Sequence, residues 1–393
     1  SPGGSCRLLP CSDGWLAVNL ARSDDLAALA AWLQLDTAPP SSTASAWPLL
    51  ERELAHRSCG PLLERAELLG LPVSRVTRPA AGAPAWMRFA QGMTTLEGLA
   101  LDRPTLAADS PLVVDLSSLW AGPLCAQLLA DCGARVIKVE STRRPDGARQ
   151  GPPRFYDLLN HGKQSVALDF ADDGDLALRR SLLEVADVVV ESSRPRALGQ
   201  LGISAGELLL RRPGLLWIAI TGHGRDSARV AFGDDAAAAA GLCPWVDCDH
   251  PGKDDGGEQQ QPLFCGDAVA DPLAGLHAAV ATVALRRVGR GGLVDLSLAS
   301  VAAHCAGATA DAAAEPGRLC DMPAAPPNPQ ERTWRTELFA DEDAARAAYV
   351  ALPSDAPRAL LAADDEPQTG EDGMLRGYGY GVLERWPADD PLD

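Results

Sequence analysis

Asp271 stands at the head of an apolar stretch, DPLAGLHAAVATVALRR. Free N–H groups at the start of a helix stabilise negative charge, so a carboxylate there is placed for chemistry that carries or develops such charge. Gly275, four residues on, leaves room for a backbone or a substrate to come close. An Asp before an apolar helix is equally an ordinary N-cap, and the motif alone leaves both uses open. Asp267, in CGDAVAD, is a rival carboxylate in the same segment and also has the type of a turn residue. His223 follows an apolar run, but a lone His is more often structural than catalytic.

Cations and one amide suited to phosphate stand in two places. Lys138, Arg143, Arg144 and Arg149 run through RVIKVESTRRPDGAR, and Asn160 and Lys163 bracket the turn NHGK. A guanidinium can pair with phosphate oxygens through two parallel bonds. The alternative for each is a solvated surface charge. Cys243, Cys248 and His250, with Cys265 further on, imitate a metal spacing only loosely. The gap between the first two is wider than that of Cys-x2-Cys sites and the fourth ligand is badly placed, so no metal is expected. There is no GxSxG elbow and no Walker A loop. The lack of a GxGxxG after the first strand of the orderly region argues against an ordinary NAD dehydrogenase.

The elements that must position these residues are clearest between 111 and 230. PLVVDLSSL, RVIKVE, KQSVALDF, ADVVVESS and GLLWIAITGHG read as buried strands, with amphipathic helices between them. Continuous Val, Ile and Leu runs alternating with helices predict a parallel sheet covered on both faces. The fold class is therefore α/β: a doubly wound, Rossmann-like parallel sheet plus a small α/β domain. Ligands of such sheets sit beyond the strand C-termini. The small domain is expected over 1–78, with a strand turning at Asp13-Gly14 and two helical stretches, the second stopped by Gly70 and Pro72. Residues 79–110 read as a linker, 111–315 as the large domain, and 231–262 within it as largely loop. Residues 316–393 read as a Pro-rich acidic tail without a clear role.

Composition narrows the partners. The chain has 393 residues, 46% of them hydrophobic and 5% aromatic, so Ala, Leu and Val must fill a large core. A formal net charge of -18 disfavours nucleic acid and anionic membranes. It permits an anionic ligand held by a local cluster of cations and backbone N–H groups. No apolar run is long enough to span a membrane. Ten Cys without a disulfide framework, in a long chain with no signal-peptide pattern, read as cytoplasmic. The opening SPGGS reads as a flexible leader.

Five pieces, in order and spacing, resemble family III CoA-transferases (the CaiB/BaiF family): VVDLSSLWAGPLCAQLLADCGARVIKVE, LLNHGKQSVALDF, ADVVVESSRPRALGQLGI, PGLLWIAITGHG and ADPLAGLHAAVATVALRRVGRGGLVDLSL. They span roughly residues 111–300. The resemblance implies CoA transfer between an acyl-CoA and a carboxylic acid, with Asp271 as nucleophile and an aspartyl covalent intermediate. It implies CoA as substrate with no tightly bound cofactor, a homodimer, Lys163 and its turn as a phosphate contact, and Gly122 and Pro123 shaping the first strand–helix turn against CoA. Trp120 stands where formate–oxalate members carry a polar residue, which favours an apolar or larger acyl group. The racemase branch of the family would place a His/Asp pair near Gly233-Asp234-Asp235, and an Asp here holds the His place. A non-catalytic CoA-binding subunit is the reading from another class. The segment with DGWLAVNL and GLPVSRV resembles the family's small domain but precedes the core, so the chain reads as permuted, or as a piece of a two-copy fusion.

Overall fold

The computed structural model describes residues 4–36, 38–80, 82, 84–91, 94–95, 110–193, 195–248 and 259–314. The first unit holds β1 (Cys6–Cys11), β2 (Gly14–Asn19), α1 (Ser23–Leu33), α2 (Thr43–Leu54), α3 (Cys59–Leu69) and β3 (Val73–Arg75). β1 and β2 form a hairpin through the expected Asp13-Gly14 turn, and β3 adds antiparallel to β2. Leu16, Val18 and Leu20 enter one core with Trp32, Trp47 and Leu62 from the helices. Three helices stand where two helical stretches were expected. Pro39, Pro40 and the Ser42 N-cap, whose hydroxyl accepts the Ser45 N–H, separate α1 from α2.

The second sheet has eight strands. β4 (Met87–Gln91), β5 (Thr94–Thr95), β6 (Leu112–Asp115), α4 (Ala121–Asp131), β7 (Arg135–Ser141), α5 (Pro153–Asn160), β8 (Gln164–Leu168), α6 (Asp173–Val185), β9 (Val188–Glu191), α7 (Pro195–Gln200), α8 (Ala205–Arg211) and β10 (Leu216–Thr221) come first. They are followed by α9 (Gly233–Ala239), β11 (Trp245–Cys248), β12 (Gln259–Pro262), α10 (Ala270–Arg287), β13 (Gly292–Ser297) and α11 (Leu298–Ala314). The order is β5-β4-β13-β10-β9-β6-β7-β8, and the run from β13 to β8 is parallel. From β6 the chain winds outward through β7 and β8, then returns to the other side of β6 through β9, β10 and β13. The winding reverses between β6 and β9, which is where a doubly wound sheet opens a crevice for its ligand.

Both faces are covered, as the apolar strands predict. Val113, Val188, Ile218 and Val294 pack under α4, α9, α10 and α11. Val114, Val189, Trp217 and Ala219 face the layer that carries Leu183 of α6 and Leu208 of α8.

Two expectations change. The stretch 79–110 is more than a linker, because β4 pairs antiparallel with β13 and extends the sheet. The stretch 231–262 is more than loop. Its Gly-Asp-Asp-Ala run forms α9, since Ala is the best helix former and Asp235 caps the Phe232 N–H. Trp245–Cys248 and Gln259–Pro262 pair as a hairpin. Most of DHPGKDDGGEQQQ, and the tail read over 316–393, lie outside the described residues.

Candidate active site

Asp271 is the second residue of α10, and its own N–H donates to the Ala268 carbonyl at 2.9 Å. It therefore sits inside the first turn rather than in the N-cap position that the ordinary reading required. The turn before it is strained: Ala268 has φ +46, a region that side chains other than glycine rarely adopt. Gly233, the first residue of α9, lies directly against the Asp271 carboxylate, and a methyl group there would overlap Asp271 Oδ2 and the Ala268 carbonyl. The Gly233 N–H donates to that carboxylate.

Two helix N-termini thus converge on one acidic group, with three more carboxylates nearby. Asp234 Oδ1 accepts the Ala268 N–H at 2.8 Å, which ties the strained turn to α9. Asp235 is fully buried and accepts the Phe232 N–H at 2.8 Å and the Ser74 hydroxyl at 3.3 Å. Asp267, the rival carboxylate, is exposed. Burial pushes the Asp271 carboxyl up to about 7, against the Gly233 N–H, and Asp235, Asp234 and Asp267 add like charge. Burial also pushes Asp235 up to about 7, against its hydrogen bonds from Phe232, Asn19 and Ser74. Sequence reading weighed Asp234 and Asp235 only as a broken His/Asp motif. Their proximity to Asp271 is set by α9, which carries no hydrophobic periodicity to reveal it.

The residues expected to hold phosphate divide into two groups. Lys138 and Lys163 are buried and already engaged. Lys163 Nζ donates to Asp115 at 3.1 Å, to the Pro123 carbonyl at 2.8 Å and to Asn160 Oδ1 at 3.1 Å. Lys138 Nζ pairs with Asp146 at 2.9 Å and donates to the Ser117 carbonyl at 3.0 Å. Burial would raise the Asp115 carboxyl, but Lys163, Lys138 and the Ser117 hydroxyl and N–H hold it below its ordinary range. These side chains turn inward and support the turn Leu116–Trp120. Asp146 Oδ1 accepts the Leu119 N–H at 2.8 Å, and Leu119 has φ +72. Arg149 is likewise engaged, on Glu140 at 2.6 Å.

Arg143 and Arg144 remain exposed on the loop after β7, at the C-terminal edge of the sheet. Arg143 bonds the Asp169 carboxylate at 2.8 Å. Gly122 and Gly275 serve packing. The missing side chain at Gly122 admits Ser117, and a Cβ on Gly275 would stand 2.6 Å from the Ala121 carbonyl. That contact sets α10 against the head of α4, the helix that follows β6, and Asp271 stands one turn earlier on α10.

The crevice between β6 and β9 holds residues that the sequence did not single out. Ser118 N–H donates to Ser192 Oγ at 3.2 Å across it, and buried Glu191 accepts Ser193 N–H and Arg225 at 2.8 Å each. Their signal was present, since Glu191-Ser192-Ser193 ends a buried strand, the usual place for ligand contacts. Trp120 packs edge-on against Phe155, with ring centroids 4.9 Å apart, at the start of α4.

His223 lies elsewhere. It lines a cavity of about 380 Å³ with Trp86, Arg88, Asp226, Asp295 and Ser300, and Asp271 is not part of that lining. Burial and the Arg229 charge lower His223 to about 4, so the ring is neutral at physiological pH. Arg88 in the same cavity pairs with Asp226 and Asp295, which offset its charge there. Of the loose metal spacing, Cys243 is buried, Cys265 is exposed, and the Cys248 side chain and His250 fall outside the described residues.

Comparison with known proteins agrees in kind. The pattern of the family described as CoA-transferase family III matches residues 110–377. The succinyl-CoA–D-citramalate CoA-transferase of Chloroflexus aurantiacus is 32% identical over 206 residues, covering 50% of this chain and 50% of that protein. The succinyl-CoA:glutarate CoA-transferase of Mus musculus is 31% identical over 245 residues, covering 57% of this chain and 54% of that one. A crystal structure of a CaiB/BaiF family protein from Brucella suis is 28% identical over 54% of this chain and 58% of its own, with a TM-score of 0.43. The chain spans about half the length of the curated relatives it matches.

Proposed function

Because the chain belongs to CoA-transferase family III, we propose that it moves CoA from an acyl-CoA to a carboxylic acid through covalent intermediates on Asp271. The observation that supports this most directly is the seat of Asp271: a carboxylate in the first turn of α10, under the Gly233 N–H, on the helix that packs against the head of α4. A carboxylate oxygen of Asp271 attacks the thioester carbonyl carbon. The carbon–sulfur bond breaks, CoA leaves as thiolate, and an acyl–aspartyl anhydride remains. The thiolate attacks the aspartyl carbonyl, expels the donor acid as carboxylate, and leaves an aspartyl-CoA thioester. The acceptor carboxylate attacks that thioester, again releasing thiolate, and thiolate attack on the acceptor's carbonyl frees acyl-CoA and regenerates Asp271. Each covalent intermediate, anhydride or thioester, is itself an activated acyl derivative, which is why a carboxylate suits the role. Helix N–H groups and the Gly233 amide are donors of the kind that stabilise the oxyanions between these steps.

CoA is proposed to lie along the crevice between β6 and β9, past the head of α4, with its phosphates toward Arg143 and Arg144. Gly122, Pro123, Lys138, Asn160 and Lys163 act there by fixing the turn. Replacing Arg143 and Arg144 together by Ala is expected to weaken CoA binding about tenfold or more, measured by calorimetry. The relatives named for succinyl-CoA make that thioester the first donor to try. The chain is further proposed to act as a cytoplasmic homodimer. Leu276 and Val280, exposed one turn apart on α10, are consistent with a covered face.

Intact-protein mass spectrometry after incubation with a panel of acyl-CoAs tests the chemistry. A hydroxylamine-sensitive adduct on the wild type, absent in Asp271→Ala, is expected. CoA binding without any adduct would favour a non-catalytic subunit, and no binding at all would remove the CoA assignment.

A further inference from the structure

The N-terminal unit meets the large sheet's helical layer at α9. β2 and β3 lie against that helix. Thr77 N–H donates to the Ala238 carbonyl at 3.1 Å, and Thr77 Oγ1 donates to the Ala239 carbonyl at 2.8 Å. At the head of the same helix, Asp235 is 0% exposed. One oxygen takes the Phe232 N–H at 2.8 Å and the other the Ser74 hydroxyl at 3.3 Å. The Asn19 side chain also bonds this carboxyl. Asn19 ends β2 and Ser74 is the middle residue of β3, so both come from the N-terminal unit. The Phe232 N–H that Asp235 holds belongs to the residue before Gly233, and Gly233 N–H is the donor on Asp271.

Hydrogen bonds therefore run from β2 and β3 to Asp235 and from Asp235 to the Phe232 N–H, and one backbone step on, the Gly233 N–H meets the Asp271 carboxylate. We propose that Asp235 is a positioning residue for Asp271, and that through it the N-terminal unit belongs to the catalytic machinery instead of being a separate packing module. The role of Asp271 as nucleophile rests on the transferase reading; the coupling of the two carboxylates does not. Asp235 touches neither CoA nor the acyl group in this scheme. It fixes the peptide N–H one residue before the one that holds Asp271, and its charge opposes the ionisation of Asp271 while the Gly233 N–H favours it. The other groups facing Asp235 are Asp234 and Asp271, Cys6 from β1, and Arg229, whose guanidinium donates to the Ser74 hydroxyl at 3.4 Å. Asp267 faces Asp271 from the turn before α10.

The test is carboxyl titration by 13C NMR of the full chain labelled at aspartate, with Asp271→Asn to assign the Asp271 signal. Asp235→Asn keeps an acceptor for the Phe232 N–H and removes the charge. It is expected to move the Asp271 midpoint about one pH unit lower. Ser74→Ala, a variant that buries no new charge, is expected to move it in the same direction by less, because Asp235 loses a donor that favours its ionised form. An Asp271 midpoint unchanged in both variants overturns the proposal. The hydroxylamine-sensitive adduct is read on the same samples. Its absence from the wild type with every acyl-CoA removes the transferase reading and leaves the titration to decide the coupling. Its formation at an unchanged rate at every pH in Asp235→Asn also overturns the positioning role.

Discussion

In the proposed reaction Asp271 must be negatively charged to attack, and its surroundings make that charge costly. With its carboxyl pushed up to about 7, Asp271 is protonated on the acid side of neutrality in the ligand-free protein. The rate of adduct formation at low acyl-CoA is therefore expected to rise through about pH 7 and to flatten above it. A flat profile from pH 5 to 9 would show that Asp271 titrates at an ordinary carboxylate value. Gly233→Ala is the sharpest local probe, because its methyl would occupy the place of Asp271 Oδ2. It is expected to abolish the adduct while circular dichroism stays native. Lys163 tests the supporting network instead. Lys163→Met leaves Asp115 buried without its nearest cation, which costs about 3–5 kcal/mol. The expected result is a large drop in denaturation midpoint, with the turn Leu116–Trp120 loosened.

At the scale of elements, the α4–α10 contact decides where Asp271 stands. Gly275→Leu would force a side chain toward the Ala121 carbonyl and part the two helices, at about 1–3 kcal/mol. Lower stability together with a slower adduct is expected, whereas Leu276→Ser on the exposed side of α10 should leave both unchanged unless a second copy covers it. The parallel strands and α10 were legible because burial on two faces writes continuous apolar runs, and because α10 is long. α9 was not, since a short run of Ala following two Asp has no periodic face and draws its stability from Asp235 and from the β2–β3 surface it lies on. β4 was hidden by Pro84 and by a sequence, MRFAQ, too polar to resemble its parallel neighbours; as an antiparallel strand near the sheet edge it needs only one good face. Asp271 stands out in sequence by its place before α10, but the surroundings of the two lysines do not. Sequence shows that Lys138 and Lys163 follow or end strands, and it cannot show that Asp115 and Asp146 wait beneath them.

For the whole molecule, the same carboxylates make stability depend on pH in an unusual sense. Asp235, Asp271 and Glu191 are each raised to about 7 in the fold, whereas unfolded carboxyls titrate near 4. Between about 4 and 7 the folded protein binds protons that the unfolded chain does not, so these groups make the fold more stable as pH falls from 8 to 6. Asp115 and Glu140 are lowered, and their contribution is kept above the unfolded value and lost only as pH drops below about 4. Urea denaturation at pH 6 and pH 8 should therefore give the higher midpoint at pH 6. The opposite order would mean that the carboxyl cluster is ionised without penalty.

The pairing of β4 with β13 carries a consequence for how the protein is made. Met87–Gln91 is made about two hundred residues before its partner in the central sheet, Gly292–Ser297, which comes after every other strand of that sheet. At roughly 5–20 residues per second, β4 waits on the order of 10–40 s before Leu293 can meet Ala90. During that interval the N-terminal unit can close on its own core, but β4 presents an unpaired edge, the usual template for association with other nascent chains. Fragments stopped before β13 are expected to collect in aggregates or on chaperones, and slowing translation just before β13 should lower the soluble yield of the full chain.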